Sequence, residues 1–151
     1  MIVTRPPAGY DDDVLAAAPF LAFLLLTGET AAPSCALAQW AMGRAARPDV
    51  LDVAVMQVEE RAAGPARLAW QDPDSEIWLR PLNDGETALL LVNRTARPVS
   101  VDVIWKELGL GGTRATLRVF DVLRRRNLGK VHGGFAHRLE PGACALFRVE
   151  P

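Results

Sequence analysis

Histidine, cysteine and tyrosine are scarce in this sequence, with two, two and one residue respectively among 151. The shortage removes most chemistry that depends on them. A zinc centre takes three or four His, Cys or acidic ligands in a closed arrangement. His132 and His137 stand five apart across Gly133-Gly134, with neither cysteine near in sequence. His132 reads as an exposed polar residue in a glycine-rich loop and His137 as an outward or satisfied strand residue, so neither metal nor cofactor is expected. Cys35 and Cys144 are too few for a disulfide framework. They read as two small buried hydrophobes, and a bridge between them requires an oxidising compartment.

Long apolar runs are missing too. Val14–Leu26 is apolar for 13 residues, short of the roughly 20 that span a bilayer. Asp11-Asp12-Asp13 precedes it where a secretory signal carries positive charge. The expectation is therefore no membrane segment, no targeting signal and a cytoplasmic or undetermined location. Asn93-Arg94-Thr95 matches a glycosylation acceptor, which has meaning only on a secretory route. There is no nucleophile elbow, and Gly109-Leu110-Gly111-Gly112 lacks the spacing of a phosphate loop.

Charge of one sign is lacking overall, the net value being -1. Residues 1–65 carry 4 basic and 8 acidic side chains, and residues 66–151 carry 13 basic and 10 acidic. Neither balance captures nucleic acid electrostatically. Arg124-Arg125-Arg126, with Lys130 and Arg118, is the only basic cluster, and it has no interleaved aromatics for base stacking. It reads as a solvated hairpin, Arg124–Lys130 around Asn127 and Gly129, or next as a contact to a neighbouring domain.

What is present is an apolar half in a chain long enough for one domain with an appendage. Residues 1–65 read as helical: an all-round apolar helix over Val14–Leu26, a second over Ala31–Gly43 with Leu37, Trp40 and Ala41 on one face, and a third opened by Pro48-Asp49. After Ala62-Ala63-Gly64-Pro65 the pattern changes to short apolar runs between turn residues. Glu76–Leu82 and Thr87–Asn93 read as a hairpin about Asn83-Asp84-Gly85-Glu86. Ala88–Val92 reads as buried on both faces. Val99–Trp105 and Ala115–Asp121 alternate as half-buried strands. Phe135–Leu139 and Ala143–Val149 read as a closing pair across Glu140-Pro141-Gly142. The fold class expected is mainly β: an antiparallel sandwich of seven or eight strands over residues 66–151, with an N-terminal helical segment.

Several motifs are also familiar. Ile77-Trp78-Leu79-Arg80-Pro81-Leu82-Asn83-Asp84-Gly85, Ala88-Leu89-Leu90-Leu91-Val92-Asn93-Arg94 and Trp105-Lys106-Glu107-Leu108-Gly109-Leu110 resemble the C-terminal region of the α-galactosidase (melibiase) family of retaining glycoside hydrolases. Val119-Phe120-Asp121-Val122 with Asn127-Leu128-Gly129, and Phe135–Leu139 with Pro141-Gly142, are similar to its later strands. Ala18-Pro19-Phe20 and Leu24–Glu29 resemble the family's segment near the end of its catalytic barrel. Such a barrel needs about 250 residues. The family's Lys-Tyr-Asp nucleophile run has no match, since Tyr10-Asp11 follows Gly9. The resemblance implies a C-terminal sandwich with barrel-end helices and no catalytic barrel.

Retaining glycoside hydrolysis uses two carboxyl groups about 5 Å apart. Asp72 and Asp74 flank Pro73 in a turn and Asp84 and Glu86 lie in the hairpin turn, so no catalytic residue is assigned. Trp70, Trp78 and Trp105 are the candidates for a carbohydrate platform, against a core or domain-seam role. Phe20, Phe23 and Leu24, with Trp40, are the candidate interface, through which the apolar helix meets a second copy or a glycosidase barrel. The reading is a non-catalytic accessory sandwich domain. The alternatives are a subunit of an α-glycosidase whose barrel is supplied elsewhere, and a carbohydrate-binding module. Neither a nucleic-acid nor a membrane partner is expected.

Overall fold

The computed structural model describes residues 32–45 and 52–151. The apolar run Val14–Leu26, with Phe20, Phe23 and Leu24, lies outside them. Helix α1 (Ala32–Ala41) buries Cys35, Ala38 and Ala41, and Met42 follows on the same side at helical spacing. Gly43 ends it at φ 73°, and a Cβ there would meet the Arg80 guanidinium at 3.3 Å. Small residues along this helix let its backbone sit close to the sheet. Helix α2 (Val53–Glu60) starts later than Pro48-Asp49 suggests. Its cap is Asp52, whose Oδ1 accepts from the amides of Ala54 (2.8 Å) and Val55 (3.3 Å). Val55 and Val58 turn inward.

Eight strands follow: β1 (Arg67–Gln71), β2 (Ser75–Pro81), β3 (Thr87–Asn93), β4 (Val99–Ile104), β5 (Thr116–Asp121), β6 (Arg126–His132), β7 (Gly134–Leu139) and β8 (Cys144–Glu150). Six form one antiparallel sheet in the order β1-β2-β3-β8-β5-β6, and β4 pairs with β7 in a second. β2 and β3 are joined as the hairpin expected, in register from Ser75 against Asn93 to Pro81 against Thr87. Asp84 (φ 65°) and Gly85 (φ 75°) make its turn.

β3 runs through the middle of the large sheet and is buried from Ala88 to Asn93. Leu89 and Leu91 face the inter-sheet core with Ile77, Leu79, Val101, Val103, Trp105, Val119 and Phe147. Ala88, Leu90 and Val92 face the other way, against Ala38, Ala41, Met42, Val55 and Val58 of the helical segment. The described residues therefore form three layers: helices, large sheet, small sheet.

Three expectations are corrected. β7 and β8 are not hairpin partners. β7 pairs with β4, and β8 lies between β3 and β5, so the Glu140-Pro141-Gly142 turn carries the chain from one sheet to the other. Asn93 fixes that crossover: its amide donates to the carbonyls of Arg97 (2.8 Å), Leu139 (3.3 Å) and Glu140 (2.9 Å). With its nitrogen so used and the residue buried, Asn93 is unavailable as a glycan acceptor. Secondly, most of Arg124–Lys130 is strand. The reversal sits at 122–125, with Arg125 at φ 53°, and β6 is an exposed polar edge strand. Lysine and arginine on such an edge oppose pairing with another sheet. Thirdly, Cys35 and Cys144 are joined as a disulfide between α1 and β8, their Cα atoms 5.0 Å apart.

Candidate functional site

The tryptophans named from sequence separate into different environments. Trp105 has no exposed surface. Its indole N–H donates to the Val131 carbonyl at 3.1 Å, and its ring meets Phe135 edge-on at 5.7 Å. A ring so enclosed offers no face to a sugar. Trp70 is half-buried against the same inter-sheet core, next to a bulge in β1. Trp78 lies on the opposite face of the large sheet and is half-buried under the helical segment. Its indole donates to Glu76 Oε2 at 2.8 Å, and the Arg44 guanidinium stacks 3.7 Å above the ring. Trp40 of α1 packs into that same cluster. The structure thus brings Trp40 and Trp78 into one layer and keeps Trp70 and Trp105 on the other side of the sheet.

The acidic candidates are turn formers. Asp72 Oδ1 accepts from the amides of Asp74 (2.8 Å) and Ser75 (2.6 Å). Asp74 pairs with Arg97. Asp84 is exposed and lies 3.6 Å from Arg61. Among the described residues, no group of three or more His, Cys, Asp or Glu side chains is placed to hold a metal ion. His132 is exposed at the end of β6, with Nδ1 2.9 Å from Thr116 Oγ1.

The most extensively built surface is the outer face of the large sheet, where the helices sit. Trp78, Ala88, Leu90, Val92, Leu146 and Phe120 supply its apolar part, and polar ties surround them. Arg80 donates to the Ala41 carbonyl (2.6 Å) and to the Gly64 carbonyl (2.9 Å), placing a cation at the C-terminal end of α1 where the helix dipole favours it. Arg44 is half-buried beside Trp78, and burial lowers its pKa against the opposing effect of Glu76. Arg125 of the β5–β6 turn reaches Asp52 at 2.8 Å. Burial disfavours the Asp52 charge, yet Arg125 and the Val55 and Ala54 amides outweigh it and hold the carboxyl below its ordinary value.

Sequence reasoning missed one ionic cluster. Glu86 is drawn inward rather than standing in the turn, 2.6 Å from Arg61 in an ion pair without hydrogen-bond alignment, and 3.7 Å from Arg148. Burial and the hydrogen bond with Glu150 push its pKa up, against Arg61 and Arg148. Nothing local marks Glu86, because its partners come from the end of α2 and from β8.

Comparison with known proteins gives a consistent result. Residues 72–149 match the family described as the alpha galactosidase C-terminal beta sandwich domain. An alpha-galactosidase of Cyamopsis tetragonoloba is 29% identical over 79 residues, which is 52% of this chain and 19% of that protein. A β-L-arabinopyranosidase of Geobacillus stearothermophilus superposes with a TM-score of 0.66 at 19% identity, over 76% of this chain and 29% of that one. The α-galactosidase of Saccharomyces cerevisiae superposes with a TM-score of 0.65 at 14% identity, over 92% of this chain and 50% of that one. At these identities the superpositions establish the fold. The chain spans about a fifth of the Cyamopsis enzyme and under a third of the Geobacillus one.

Proposed function

The chain belongs to the family of alpha galactosidase C-terminal beta sandwich domains, and from that premise we propose that it is a non-catalytic accessory domain of a glycoside hydrolase, working as a packing surface. The observation that carries this reading is the outer face of the large sheet. Its centre is given to apolar side chains under helices, and its charged groups tie layers together instead of converging on a cavity. Such a face supports a neighbouring structure and positions no reacting atoms.

The partner in this reading is a glycosidase barrel or a second copy, met through the apolar stretch bearing Phe20, Phe23 and Leu24 together with Trp40. An apolar stretch of that kind is covered in a soluble assembly. Light scattering of the purified chain over a dilution series tests it. A species heavier than the 16.4 kDa chain is expected, reduced to monomer by Phe23→Ser. A monomer at every concentration, with no association when a family barrel is co-expressed, removes the reading.

The α-glycosidase subunit alternative differs in one outcome: the co-expressed barrel would gain turnover from this chain. For the carbohydrate-module alternative, Trp105 gives no support, since its ring is enclosed. As to location, no helix among the described residues is long and apolar enough to cross a membrane. The Cys35–Cys144 pair favours an oxidising compartment over the cytoplasm, where thiols are kept reduced.

A further inference from the structure

Among the described residues the small sheet has two strands, and a cleft of about 330 Å³ is lined from both sheets. Asp121 (β5) and Ala145 (β8) lie on the large-sheet side and His137 on the small-sheet side, with Arg124, Arg138 and Glu140 at the rim. At Leu123 and Cys144 the cleft borders the helix-packing cluster, Cys144 being bonded to Cys35 of α1.

Its polar groups are held in place yet incompletely used. The His137 ring is set edge-on against buried Phe147, with centroids 5.1 Å apart at 82°. Among the described residues neither of its ring nitrogens has a hydrogen-bond partner. Asp121 is 4% exposed. Its Oδ1 accepts from the Arg124 amide at 3.1 Å, whereas Oδ2 is 3.9 Å from Arg124 Nε, beyond hydrogen-bond reach. The carboxylate of Asp121, ion-paired with Arg124, and an imidazole without a hydrogen-bond partner among the described residues therefore line one opening with the exposed Arg124 guanidinium.

The mixture narrows the ligand. A metal ion lacks a third ligand. An anion would face Asp121 and Glu140. An apolar molecule would leave every polar group here unpaired, which is unfavourable. A neutral polyhydroxyl compound fits, because each hydroxyl both donates and accepts and can bridge carboxylate to guanidinium or imidazole. The volume is at the small end for ligand sites, suited to one ring. We propose that this cleft binds a single neutral sugar ring through Asp121, Arg124 and His137. Burial and Arg124 both lower the His137 pKa, against Asp121, which favours the neutral imidazole with its one donor and one acceptor.

The test is NMR of the full chain labelled with ¹⁵N in its two histidines, titrated with D-galactose, D-glucose, D-xylose and myo-inositol, with ethylene glycol as control. At least one ring compound should shift the His137 nitrogens saturably in the millimolar range while His132 stays still. Arg124→Gln, read at the His137 nitrogens, and His137→Ala, read by titration calorimetry, should each weaken that binding by about threefold to tenfold, the loss of one hydrogen bond. Arg124→Gln leaves its backbone bond to Asp121 in place, so it serves if the histidine variant does not fold. No saturable shift at His137, an equal response to ethylene glycol, or unchanged binding in a folded variant overturns the proposal.

Discussion

Glu86, Asp52 and His137 show how single groups set the pH response of the fold. Glu86 holds its proton more tightly folded than unfolded, because burial and Glu150 outweigh the two arginines. Its contribution is fully present below the unfolded carboxylate value and declines as pH rises through the raised folded value. Glu86→Gln should remove that decline, so urea unfolding at mildly acidic and neutral pH should differ less in the variant than in wild type. Asp52 has the opposite sign: its depressed pKa contributes stability above the unfolded value, lost as pH falls through the folded one. Asp52→Ala also removes the cap of α2, for a loss of about 1 kcal/mol by urea unfolding at neutral pH. His137, with a lowered pKa, adds stability above its unfolded value that is lost as pH falls through the folded value. At this scale the sequence was informative about turn residues, because Asp72 accepts from the nearby Asp74 and Ser75 amides and Asp84 itself takes the positive φ of its turn. It placed Glu86 in the hairpin turn and His137 on a strand as an outward or satisfied residue, without their partners, because the surroundings of both are assembled from distant strands.

At the scale of elements, the β2–β3 hairpin was legible because its turn and its apolar pattern are local and agree. The burial of β3 on both faces followed from its unbroken apolar run. The pairing of β7 and β8 was not legible. A Pro-Gly turn states that the chain reverses; which sheet accepts the next strand depends on where β4 already lies. β6 escaped for another reason: an exposed edge strand has no apolar alternation to display. Two predictions belong here. Gly134, at φ 144°, sits where a Cβ would come 2.0 Å from the Val103 carbonyl oxygen. Gly134→Ala should therefore separate β7 from β4 and lower the unfolding midpoint sharply, whereas Gly85→Ala, with open space around it, should cost only about 1 kcal/mol for its positive φ. Cys35 and Cys144 close a loop across a sequence separation of 109. Replacing both by alanine should destabilise the chain by about 2–4 kcal/mol, read by urea unfolding without reductant. Mass spectrometry after alkylation should find no free thiol before reduction and two after it.

For the whole molecule, the sandwich class and its resemblance to the α-galactosidase C-terminal region were both readable, since sheet alternation and the Trp78 and Asn83-Asp84-Gly85 motifs are carried in short stretches. The role of the outer face was not, because a helix layer on a sheet arises from contacts between Ala38, Val55, Leu90 and Leu146 that no stretch contains by itself. We propose that this surface packs and does not catalyse. The measurement that tests it most directly is turnover of a panel of aryl α- and β-glycosides by the purified chain of 151 residues, its purity established by mass spectrometry. No turnover above buffer is expected at high protein concentration, with or without Asp72→Ala or Glu86→Gln. Turnover well above background that disappears in either variant would contradict it and place a working carboxylate in this sandwich.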